Sequence, residues 1–61
     1  MNFTPEKIHE LVGFAARISA IVSLVRNPES LAALDLEQTD RDLKAALEGL
    51  KAAWDEARAE N

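Results

Sequence analysis

Apolar side chains recur at alternating steps of three and four residues over two separate stretches of this chain, the spacing of paired helices. In the first stretch the seam runs Ile8, Leu11, Ala15, Ile18, Val22 and Val25; in the second it runs Leu43, Leu47, Leu50, Trp54 and Ala57. The two seams predict an all-α fold, an antiparallel helical hairpin.

Local signals mark the helix ends. Thr4 suits an N-cap, Pro5 suits the first helical position, and Phe3 with Ile8 has the spacing of a hydrophobic staple. Pro28 disfavours helix in the residue ahead of it, so the first helix is expected over residues 5–26. Thr39 is the expected cap of the second long helix, placed at about 40–59, with Asp42 three residues on and Asp40 at the positive end of the dipole. The segment from Asn27 to Gln38 exceeds the ~2 to 8 residues usual between bundle helices, which predicts a short helix at about 28–34. Its Leu31, Leu34 and Leu36 would fold onto the end of the bundle. A second helix running on from Pro28 is the alternative, opposed by Asp35, Thr39 and Asp40. Residues 1–61 are read as a single domain. Gly13 and Gly49 fall inside helical patterns and away from the seams, where tolerated surface positions are expected; close approach at a helix crossing is the competing reading.

Two helices of similar length joined by a compact connector pair antiparallel. Matching their ends sets Val22 against Leu43, Ile18 against Leu47, Ala15 against Leu50, and Trp54 over Leu11 and Ile8. That pairing leaves Phe14, Ile21 and Leu24 uncovered, with parts of Ile18 and Val25, so the apolar arc of the first helix exceeds the ~100° that one neighbour covers. With 61 residues, no Cys and one His, the chain has neither disulfides nor the common zinc ligands to hold a small core. The expectation is a homodimer, two hairpins making a four-helix bundle through Phe14, Ile18, Ile21, Leu24 and Val25. A monomer whose connector leucines fold back over Leu24 is the alternative. This plan, a hairpin of about 60 residues doubling into four helices, resembles the Rop type of plasmid RNA-binding protein in architecture. The chain shares no motif with that type and lacks a basic row along one bundle face, so no functional residue carries over.

Charge narrows the partners. Residues 1–28 hold three basic and two acidic side chains, a net +1; residues 29–61 hold four and nine, a net −5. No two basic residues stand closer than three apart, so nucleic acid and anionic membrane are not expected partners. Leu11 to Val25 is 15 residues with Arg17 inside, short of the ~20 that span a bilayer, and the preceding Glu6, Lys7 and Glu10 do not make a signal peptide. A cytoplasmic location is the default.

Chemistry is sparse. His9 lies on the outer side of the first helix, and Ser19 and Ser23 have no histidine within reach, so no enzyme is expected. Asp35, Glu37, Asp40 and Asp42 cluster, but an EF-hand counted from Asp35 would need glycine and glutamate where the chain has Asp40 and Ala46. Neither metal nor other cofactor nor small-molecule substrate is expected. The row Lys44, Lys51, Arg58 reads as the charged flank of a helix seam.

The function expected is that of a small non-enzymatic interaction or assembly protein, a homodimer that holds or regulates another macromolecule, most simply a protein. The alternatives are a nucleic-acid regulator using Lys44, Lys51 and Arg58, or an acidic docking or decoy surface at Asp35, Glu37, Asp40 and Asp42 for a basic partner.

Overall fold

The computed structural model describes residues 3–59, and within them the elements are α1 (Pro5–Arg26), α2 (Pro28–Ala33) and α3 (Leu36–Ala59). The chain is all-α, with α1 and α3 packed together and α2 packed on α1.

Each helix starts on a side chain that satisfies amide hydrogens at its exposed end. Thr4 Oγ1 accepts from Lys7 N at 3.2 Å, and Pro5 follows it at the first helical position. Asn27 does two jobs. Its backbone N–H closes α1 on Leu24 O at 3.3 Å, and its Oδ1 opens α2 by accepting from Glu29 N (3.0 Å) and Ser30 N (3.3 Å). Its extended backbone, φ −100° and ψ 113°, is what the following Pro28 requires. Only this residue separates α1 from α2.

The long helix starts earlier than its sequence suggests. Asp35 Oδ1 accepts from Gln38 N at 3.1 Å, making Asp35 the cap, and α3 begins at Leu36 rather than near Asp40. Thr39 is inside the helix: both its N–H (2.9 Å) and its hydroxyl (2.8 Å) donate to Asp35 O. Two residues with capping side chains stand four apart, and the first of them takes the role because Leu36 to Gln38 can already turn as helix.

The packing of α1 on α3 differs from the pairing expected of the leucine seam. The residues of α3 that are buried are Ala46, Ala53 and Ala57, and no large side chain among the described residues is fully buried. Small residues on α3 receive large ones on α1: Leu11, Phe14, Ile18 and Ile21 are all half-buried. The helices approach closely at Gly49. A Cβ there would stand 2.5 Å from Phe14 Cζ and nearer still to Cε1, so the ring lies on bare backbone. Gly49 is therefore a close-approach glycine and not a tolerated surface position; Gly13 has nothing within 4 Å of where a Cβ would be. Lys7 Nζ bridges the helices near their ends, 3.6 Å from Glu56 and 3.3 Å from Glu10. The ring of Phe3 lies against Trp54 with centroids 5.0 Å apart, a tertiary contact where a local staple with Ile8 was expected.

Candidate interaction surface

Turning the alanine side of α3 toward α1 leaves Leu47 and Trp54 exposed and Leu43 and Leu50 half-buried. Leu11, Val12 and Ala15 of α1 and Leu47, Leu50 and Trp54 of α3 line one open groove of about 660 Å³ between the helices. Three of the larger side chains in it are roughly half accessible: Val12 at 59%, Leu47 at 47% and Trp54 at 46%. Ile8 and Val22 continue the α1 side by helical spacing, and Leu43 and Leu36 continue the α3 side. Lys51 is the one charged residue that lines the groove. Its aliphatic stem can extend the apolar wall while the ammonium stays in water.

The residues expected to meet a second chain are divided by the structure. Phe14, Ile18 and Ile21 are half-buried, and Phe14 is held between Gly49 and the Arg17 guanidinium, 5.6 Å from the ring centroid. These side chains serve the hairpin itself, because the small residues of α3 accommodate them better than its leucines do. Leu24 and Val25 remain exposed, at the connector end of α1. The opposite side of the hairpin has a smaller concavity lined by Arg17, Ala20, Ile21, Asp42, Ala45 and Ala46, apolar for the most part but carrying two charged side chains. Of the seam expected to close the hairpin, Ala57 is buried and Leu11, Ile18, Leu43 and Leu50 are half-buried, while Ile8, Val22, Leu47 and Trp54 are exposed; Phe14 and Ile21 of the expected outer face are half-buried with the former.

The acidic cluster has local work. Asp35 caps α3, Asp42 Oδ1 accepts from Gln38 Nε2 at 2.9 Å, and Asp40 pairs with Lys44 at 2.9 Å across one helical turn. Glu37 sits in the first turn of α3, where the helix dipole favours a carboxylate. In the basic row, the hydrogen bond that Lys44 donates to Asp40, and then the charge of that carboxylate, hold the Lys44 ammonium above the usual lysine range. Arg58 lies in the last turn of α3, the end at which a cation complements the dipole.

His9 is exposed and borders a slight hollow with Glu10, Gly13, Phe14 and Arg17. Among the described residues no three His, Asp or Glu side chains gather in a way that could hold a metal ion. The whole of α1 is long and apolar enough to cross a membrane by length and composition. With the residues flanking Leu11 to Val25, among them Glu6, Lys7, Glu10 and Arg26, α1 is 22 residues, about 33 Å at 1.5 Å each. Comparison of the chain with protein-family models, with curated proteins and with solved structures gave no match in any of the three.

Proposed function

We propose that this chain is a non-enzymatic helical interaction protein, working as a homodimeric four-helix bundle whose outer surface holds or regulates another macromolecule. One observation carries the reading: the hairpin is a single layer of helices with three alanines for a core and an apolar groove along one side. Stable domains bury an apolar stripe between at least two layers. A lone layer leaves Val12, Leu47 and Trp54 in water, and covering side chains of this size contributes roughly 1.5 to 3 kcal/mol each. The weakness of the chemistry elsewhere agrees, since the carboxylates near the connector are engaged in capping and helix pairing.

Sedimentation equilibrium at micromolar concentration tests it. The expected species has twice the 6.7 kDa chain mass. A folded 6.7 kDa monomer over the whole concentration range removes the proposal. The length and composition of α1 favour a second reading, a membrane-associated helix; flotation with lipid vesicles in preference to self-association would establish that one.

A further inference from the structure

The open groove commits to one occupant through its dimensions and its flanking charges. The Cα extents of 45 × 18 × 12 Å describe a slab one helix thick. The outline of its broad face, 45 × 18 Å, is large enough to hold the roughly 800 Å² that each partner contributes to a standard stable interface. The radius of gyration is 14.0 Å. A compact globule of this length has about 10.5 Å, and one of twice the length about 13.7 Å. The chain therefore has the proportions of half of a body made from two such chains.

The charges bordering the face favour one way of stacking the halves. Phe14 against Gly49 and Lys7 against Glu56 fix an antiparallel register that puts Arg26 level with Glu37, Ser19 with Lys44 and Val12 with Lys51. Arg26 is five helical turns on from Ile8 and shares its side of α1; Glu37 heads the seven-residue row of Lys44, Lys51 and Arg58 along the outer edge of α3. Turning a second copy about an axis parallel to the helices lays its α1 over this α3 at unchanged heights. Arg26 of one copy then meets Glu37 of the other, and Lys44 and Lys51 face Ser19 and Val12. Turning it about an axis across the helices lays α3 on α3, which brings Glu37 of one copy to Arg58 of the other but also Lys44 to Lys51. The first arrangement has no like charges of these rows in contact; neighbouring helices are antiparallel in both, so the helix dipoles do not choose between them.

Resting on the dimer reading above, we infer that the groove formed by Val12, Ala15, Leu47, Leu50 and Trp54 is covered by a second copy of this chain, with α1 of each copy over α3 of the other and both connectors at the same end. The inference has two consequences that sedimentation alone does not read. Trp54 is the single tryptophan, so its emission reports on this face. The chain has no cysteine, so Ala33→Cys in α2 accepts one spin label at the connector end.

The experiment follows Trp54 emission and acrylamide quenching across the dilution series used for sedimentation, and measures the label distance in the associated state. Expected are a shift to shorter wavelength and loss of quenching that track association, and labels within about 25 Å, the width of a bundle with helix axes 8–10 Å apart. An associated species whose Trp54 signal does not change overturns the choice of face and leaves the dimer reading standing. Labels separated by the 45 Å length of the hairpin or more overturn the stacking. Val12→Glu should abolish the association-linked Trp54 shift, whereas Ala20→Glu on the opposite side should preserve it; the reverse result overturns the face, and circular dichroism of both variants separates dissociation from unfolding. A folded monomer whose Trp54 shifts only when phosphatidylcholine or phosphatidylglycerol vesicles are added overturns both inference and dimer, and assigns the face to lipid.

Discussion

Replacing each helical glycine by alanine, one at a time, separates the seam from the surface. In the interior of a helix this substitution ordinarily stabilises by roughly 1 kcal/mol, because alanine restricts the unfolded chain and glycine does not. At Gly13 the new methyl enters open space, so the full gain is expected. At Gly49 the methyl falls inside the ring of Phe14. Either the ring leaves its seat or the helices move apart, and overpacking of this kind costs about 1 to 3 kcal/mol. Gly49→Ala should therefore lie roughly 1 to 3 kcal/mol below Gly13→Ala in stability, which for a domain this small separates their melting temperatures by at least about 4 °C. The assay is thermal and urea unfolding followed by circular dichroism, at one chain concentration because association moves the midpoint. In a Phe14→Ala background the obstacle is gone, and Gly49→Ala should recover the ordinary helical gain. Equal stabilisation at the two glycines, or no recovery when Phe14 is removed, would refute the seating of the ring on Gly49 and with it the alanine-faced seam.

Three further outcomes are expected. Asp35→Ala removes the cap of α3 and should cost about 1 kcal/mol, with amide exchange faster in residues 36–38 and little changed beyond Thr39, which can cap in its place. Asn27→Ala should also cost about 1 kcal/mol, because two amide hydrogens of α2 lose their acceptor; chemical shifts should show α2 loosened and α1 intact. Leu47→Glu should weaken association by at least tenfold, since an unpaired carboxylate in an apolar interface costs more than 1.4 kcal/mol, while Asp42→Ala on the other side leaves the sedimentation profile unchanged.

The helices and the mutual packing of α1 and α3 were legible because their signals are local. Thr4, Pro5, Asn27 and Pro28 act on their own backbone neighbours, and the apolar spacing announces helix whatever it later touches. The start of α3 was less legible, since Asp35 and Thr39 are both competent caps and the choice depends on whether the three residues between them are helical. The rotation of α3 was only partly legible from hydropathy, which put Ala57 in the seam but not Ala46 or Ala53. A stripe such as Leu43, Leu47, Leu50 and Trp54 says that a face avoids water without saying which neighbour covers it. Ala46, Gly49, Ala53 and Ala57 carry little hydropathic contrast, yet small residues repeated at steps of three and four allow a close helix approach. The signal that could have found the seam was size: Phe14, Ile18 and Ile21 are bulky where α3 is bare.

That alanine seam also bears on how the chain reaches its folded state. Alanines lose no side-chain freedom when buried, so zipping α1 to α3 is entropically easy, but they bring little area with them and the zipped hairpin gains little by itself. On the dimer reading, the larger gain comes from the groove when a second copy covers it. Folding coupled in this way would be second order in chain: below the dissociation constant the hairpin would spend its time open and accessible to proteases, and above it the same sequence would be protected. The working level of such a protein would then have a threshold set by its own synthesis rate, with partly made pools cleared and only sustained expression leaving a lasting population.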